Sequence, residues 1–290
     1  MGKNEIDEIT GTKTTGHEWD GIKELDTPMP RWWLWIFYAC IVFAVGYMIA
    51  MPSVPLVKGA YKGLLGYSSR ADLITSMDKA AEFQSVFVAQ IDETEVADIV
   101  KNEELARFAR AGGSSAFKVN CVQCHGAGAS GSTGFPNLND DEWIWGGSID
   151  EIYATISYGA RDETNEDTLI SAMPNFGADE LLEKEEIVAV ANYVVSISGG
   201  EVNSSLIGNG EEVFTDNCAA CHGDVGEGVA ALGGPALNNA IWLMGDGSLE
   251  TITAQINNPK HGVMPAWSSK LSDATIKQLA VYVHSLGGGQ

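Results

Sequence analysis

The chain has 290 residues, 45% of them hydrophobic, with 17 basic and 39 acidic side chains and a formal net charge of -22. That length holds one large domain or two to three small ones, and the apolar content excludes a wholly disordered chain. The acidic balance excludes nucleic acid as a partner, because phosphates call for a basic face; it fits simple solubility, or a basic protein partner drawn in by long-range attraction.

In chain order, residues 1–30 form a short acidic arm. The run from Trp32 to Met51, "WWLWIFYACIVFAVGYMIAM", carries no charge, and the next charged residue is Lys58. As a helix it spans about 30 Å, the thickness of a bilayer's hydrocarbon core. Trp32, Trp33 and Trp35 beside Arg31 read as an interfacial anchor. A cleaved signal peptide fits poorly, because the stretch is long and a polar arm precedes it. Residues 31–57 are therefore predicted as one transmembrane helix. Lys23 and Arg31 on one side balance Lys58, Lys62 and Arg70 on the other, so charge does not set its orientation. Cys40, inside the span, reads as an inert small hydrophobe.

Residues 58–111 are predicted as a helical linker. One helix runs from about Ala71 to Ile91, with Phe83, Val86, Phe87 and Ile91 on one stripe. The acidic stretch 92–104 leads to a second helix around Glu103 to Arg110.

From about residue 112 the sequence repeats. Phe117/Phe214, Asn120/Asn217, the Cys-x-x-Cys-His-Gly segments, Pro136/Pro235, Leu138/Leu237 and Trp143/Trp242 match in order. Each copy reaches a Met-Pro pair, Met173-Pro174 and Met264-Pro265, and closes on an amphipathic helix. Two domains follow, 112–199 and 203–290, joined near Gly199–Ser205.

Cys121-Val-Gln-Cys124-His125 and Cys218-Ala-Ala-Cys221-His222 could be zinc half-sites, redox dithiols or haem attachment sites. A tetrahedral zinc site wants four spread donors, and each histidine follows its cysteine too closely to share one easily. A thioredoxin-like dithiol would need a strand-and-helix context. The pattern is that of c-type haem attachment: two thiols on one turn can add to both vinyl groups, and the adjacent imidazole falls under the iron. Two covalently bound haems c are expected, on Cys121 and Cys124 and on Cys218 and Cys221, with His125 and His222 as axial ligands. Met173 and Met264 are the expected sixth ligands, and a His/Met pair raises the potential as an electron carrier requires. Whether each methionine serves the haem of its own repeat stays open. Met244 is the rival in the second copy, although its counterpart Trp145 cannot ligate and core packing suits both. His261 lies close enough to Met264 to compete but reads as solvated, and His284, aligned with Val195, reads as packing. Pro136 and Pro235 are expected to hold the two histidines through their carbonyls. The Gly-rich stretches "GAGASGSTG" and "GDVGEGVAALGG" lack a phosphate-loop ending and read as tight loops along a haem edge.

Thioether-linked haem is assembled outside the cytoplasm in bacteria. The expected topology is a single-pass inner-membrane protein with its N-terminus cytoplasmic and residues 58–290 periplasmic. A basic soluble cytochrome c is the natural visitor to that acidic part.

The arm and span, "TTGHEWDGIKELDTPMPRWWLWIFYACIVFAVGYMIA", with the later "LGYSSR" and the tandem repeats, resemble the dihaem subunit of cbb3-type cytochrome c oxidases over nearly the whole chain. The resemblance implies a mainly α fold: one N-terminal transmembrane helix followed by two tandem class I cytochrome c-like domains. It implies electron transfer from a soluble or membrane-bound donor cytochrome c, through two haems, to a monohaem subunit. A haem–copper subunit then reduces oxygen and pumps protons, so this chain is not an enzyme on its own. A standalone membrane-tethered dihaem shuttle, similar to cytochrome c4, would use the same haem residues; it has little need of His17, Trp19 and the tryptophan cluster unless these only anchor at the interface. A dihaem peroxidase needs one open iron, and both sites here are expected to be closed by methionine. In the first copy the insert "GARDETNEDTLIS" lengthens the loop to Met173.

Overall fold

A computed structural model describes residues 5–289, which separate into two compact units, one running to Phe83 and the other from Gln84. In the first, strands β1 (Thr14–Trp19) and β2 (Ile22–Leu25) pair as an antiparallel hairpin within the acidic arm. The indole N–H of Trp19 donates to Glu24 at 3.1 Å across it. Helix α1 (Arg31–Ala50) follows, apolar all round and with no buried residue. Such a helix is either packed inside a large core or spans a bilayer. Among the described residues it alone is long and apolar enough to cross a membrane, with a mean hydropathy of 2.0. The helix stops at Ala50, short of the expected 57, and a second small hairpin begins: β3 (Pro55–Leu56) with β4 (Gly59–Ala60).

Helix α2 (Ser69–Glu93) slightly exceeds the expected helix at both ends, and α3 (Val96–Ile99) is a single turn. Helix α4 runs from Glu103 to Asn120, its start capped by the Asn102 carboxamide, which accepts from the amides of Glu104 and Leu105. The expected short helix ending at Arg110 is thus only the first half of α4. Gly112 and Gly113 lie mid-helix, where another helix crosses. The remaining α-helices among the described residues are α5 (Val122–His125), α6 (Ile149–Tyr158), α7 (Lys184–Ile197), α8 (Ile207–Asn217), α9 (Ala219–His222), α10 (Leu249–Asn257) and α11 (Asp273–His284).

The pairing of these helices crosses the sequence repeat. The first helix of the first copy, α4, packs on the last helix of the second, α11, which also covers α6. The last helix of the first copy, α7, packs on α8 and α10 of the second. Two cores result: Phe117, Ile152, Ile156, Leu279 and Val283 belong to one, and Val190, Val194, Phe214, Ile252 and Ile256 to the other. The two crossings are built alike. Phe117 meets Tyr282 with ring centroids 5.4 Å apart, and Phe214 meets Tyr193 at 5.2 Å. A β-carbon on Gly113 would sit 2.1 Å from the carbonyl oxygen of Gln278, and one on Gly210 would sit 2.2 Å from that of Ala189. The domains 112–199 and 203–290 are therefore repeats of sequence whose closing helices are exchanged in space.

Chain connectivity favours this arrangement. Loop-closure entropy grows with the logarithm of length, about 0.6 kcal/mol per doubling. Pairing α7 with α8 uses only the link from Ile197 to Ile207, whereas pairing α8 with α11 would close the far longer stretch between them. The gain exceeds the extra cost of joining α4 to the distant α11, by an amount on the order of 1 kcal/mol. Consecutive elements pack as neighbours for the same reason.

Gly113→Ala and Gly210→Ala are each expected to destabilise the fold by about 1–3 kcal/mol, since the clash with a backbone carbonyl outweighs roughly 1 kcal/mol of helix propensity gained over glycine. Denaturant titration reads this directly, and unchanged or raised stability would mean that the helices do not cross there.

Candidate functional site

The Cys-x-x-Cys-His segments fold as single helical turns, α5 and α9. The amides of Cys124 and His125 both donate to the carbonyl of Cys121, at 3.1 and 2.9 Å; those of Cys221 and His222 donate to Cys218, at 3.1 and 3.0 Å. Gly126 and Gly223 end the turns at φ 78° and 81°, left-handed geometry that glycine enters without a Cβ penalty. None of the four cysteines is paired in a disulfide. Burial, and secondarily the neighbouring cysteine, push the Cys121 and Cys218 thiols up to about 11.

Each histidine is held from behind. His125 Nδ1 lies 3.0 Å from the carbonyl oxygen of Pro136, and His222 Nδ1 lies 2.8 Å from that of Pro235, as expected. A carbonyl only accepts, so Nδ1 carries the proton and Nε2 keeps its lone pair. Burial lowers the pKa of both imidazoles, with the proline carbonyl opposing more weakly. The shift favours the neutral form, the one that binds a metal.

Two apolar cavities lie in front of these histidines. The first is lined by Cys121, Cys124, His125 and Met264, with Leu279 and Val283 of α11 closing it. The second is lined by Cys218, Cys221, His222 and Met173, with Val190 and Val194 of α7. Each methionine thus faces the histidine of the other repeat. Backbone hydrogen bonds fix the Met264 loop: Met264 and Ala160 exchange N–H···O bonds at 2.9 Å in both directions. The Asp162 carboxylate accepts from the amide of Ala266 at 2.7 Å.

His261 does not approach the cavity that holds Met264; it lines the other one, with Nε2 3.2 Å from the Met173 carbonyl. Met244, the rival ligand, lines that same cavity with His222. Among the described residues no three His, Cys, Asp or Glu side chains converge in a group that could hold a metal ion. The donors fit a haem instead. Two thiols and an imidazole share one helical turn, and a methionine thioether lines the same apolar cavity.

These paired cavities in a helical frame define a c-type cytochrome. The family model described as cytochrome c oxidase, cbb3-type, subunit III matches residues 109–194 and 206–283, and that described as the N-terminal domain of cytochrome oxidase-cbb3, FixP, matches residues 11–58. The chain is 52% identical over 285 residues to a cbb3-type cytochrome c oxidase subunit FixP of Rhizobium meliloti, covering 98% of each. It is 47% identical over 277 residues to subunit CcoP of Cereibacter sphaeroides, covering 96% of this chain and 95% of the relative. A FixP of Bradyrhizobium diazoefficiens is 46% identical over 291 residues, covering 99% of each. The chain belongs to the cbb3-type cytochrome c oxidase subunit III family.

Sequence reasoning missed Asp162, whose partner Ala266 is distant in the chain. Hydrogen bonds from the Ala266 amide, and then from the Thr164 hydroxyl and amide, hold its carboxyl below the usual carboxylate range. A depressed value stabilises the fold above the ordinary carboxylate pKa, and that stability is lost as pH falls through the depressed one. Asp162→Asn is therefore expected to lower the denaturant midpoint at neutral pH, with the gap closing as both proteins are taken to acid. A gap independent of pH would contradict the role.

Proposed function

We propose that this chain is the membrane-anchored electron-transfer subunit of a cbb3-type oxidase and binds two haems c. Cys121 and Cys124 with His125 hold one, and Cys218 and Cys221 with His222 hold the other. The observation that carries the reading is that each Cys-x-x-Cys-His turn faces a methionine across an apolar cavity. Each haem, when bound, supplies a one-electron ferric/ferrous couple. The protein's part is to fix its axial ligands and exclude water around it. The crossed cavities support Met264 as the partner of His125, and Met173 as that of His222.

Helix α1 spans the membrane in this reading, with the N-terminal hairpin cytoplasmic and the haem-binding part periplasmic. Support comes from its length and uniform apolarity and from the extracytoplasmic chemistry of thioether attachment. The acidic surface draws in a basic donor cytochrome c, with strong sensitivity to salt. Electrons then pass to the monohaem subunit, and oxygen is reduced by the haem–copper subunit. The match of residues 11–58 to the FixP N-terminal domain favours this over a standalone tethered shuttle, which would need the span but has little need of the arm before it.

In the purified oxidase complex, the mass of this chain is expected to exceed its amino-acid mass by two haems; an excess of one or none would defeat the reading. Met264→Ala and Met173→Ala are each expected to abolish the thioether-to-ferric-iron absorption of one haem and to admit exogenous imidazole there. Met264→His is expected to lower that haem's reduction potential in a redox titration. Full retention of the absorption in Met173→Ala would shift ligation to Met244, the other sulfur lining that cavity.

A further inference from the structure

The two cavities share a wall. Ile144, Arg161, Leu243 and Gly262 line both, and Arg161 is the one lysine or arginine among the described residues to do so. It stands where the exchanged segments part, in the left-handed region at φ 57°, a conformation that is uncommon outside glycine and needs support from its surroundings.

Its guanidinium is half-buried and held on several sides. Nε donates to the carbonyl of Gly262 at 2.6 Å and Nη1 to that of Ser171 at 3.1 Å, while the Trp145 ring lies 5.7 Å away beneath the charge. Gly262 lies just before Met264, and Ser171 just before Met173. One side chain therefore ties together the two loops that carry the methionines. What it lacks is a counter-charge. Among the described residues no carboxylate lies within ion-pair distance of it, and its neighbour Asp162 is turned to Ala266 and Thr164. Nη2 donates to no described residue. Withdrawal from water alone lowers its pKa. A half-buried guanidinium whose protein partners are all neutral calls for an anion close by, because a buried charge is costly unless it is paired.

We propose that Arg161 is the common cationic partner of the two haem sites, hydrogen-bonding the carboxylates of the haem propionates and raising both reduction potentials together. The inference rests on the two-haem reading above. A positive charge favours the reduced, more negative state of each iron. Because the same charge faces both cavities, it sets the level at which the pair takes up an electron. It does not set the direction of transfer between them.

The test is potentiometric titration of the purified complex, after mass spectrometry has shown two haems and absorption has shown both thioether ligands. In Arg161→Gln both midpoint potentials are expected to fall, by a several-fold to tenfold change in each reduction equilibrium, about 60 mV at the upper end for a one-electron couple. Arg161→Lys, which keeps the charge, is expected to recover most of the fall. Movement of one haem only, of neither, or an equal fall in Arg161→Lys would overturn the proposal. Should Arg161→Gln fail to assemble, Arg161→His takes its place. Both its potentials should step down together as pH rises through the imidazole range, and a step in one haem only, or in neither, would overturn the proposal. Fewer than two haems in the wild-type chain would instead defeat the two-haem reading, which separates the two failures.

Discussion

Everything in the larger unit depends on two helix crossings so close that neither tolerates a β-carbon. At Gly113 and Gly210 the opening helix of each repeat lies against backbone of a closing helix. The aromatic pairs Phe117–Tyr282 and Phe214–Tyr193 fill the space one turn further on. These contacts fix where α5 and α9 begin, and hence where the thiols and imidazoles point. They also bring Leu279 and Val283, or Val190 and Val194, over the cavity in front of each histidine. Close packing of this kind has few alternative arrangements, which suits an electron-transfer subunit.

The exchange of closing helices makes the two sites interdependent. Met264 reaches its cavity because Ala160 pairs with it, and Arg161 binds the backbone beside both methionines. Asn239 of the second repeat donates to Glu142 of the first at 2.6 Å, and Gly134 donates to the carbonyl of Leu243 at 2.8 Å. The cavities are consequently neighbours that share lining residues, which in the two-haem reading is a favourable setting for electron exchange inside one polypeptide.

Much of this was legible in the sequence because local chemistry dictates it. A Cys-x-x-Cys-His-Gly turn, the proline that braces its histidine and an amphipathic closing helix each carry their own signature. The crossing of the repeats was not legible, for a physical reason. Gln278 and Tyr282 occupy the same places on α11 that Ala189 and Tyr193 occupy on α7, so either closing helix presents a suitable surface to either opening helix. Which pair forms is decided by chain connectivity, a property of the whole molecule. Arg161 lay within a stretch that read as a loop insertion, and its significance appears only when both cavities are seen around it.

The most direct measurement is a density map of the purified, haem-loaded complex at side-chain resolution. The account predicts that the iron of the porphyrin bonded to Cys121 and Cys124 lies between His125 and Met264, and that the iron of the other lies between His222 and Met173. Met264 seated opposite His222, with Met173 opposite His125, would contradict it.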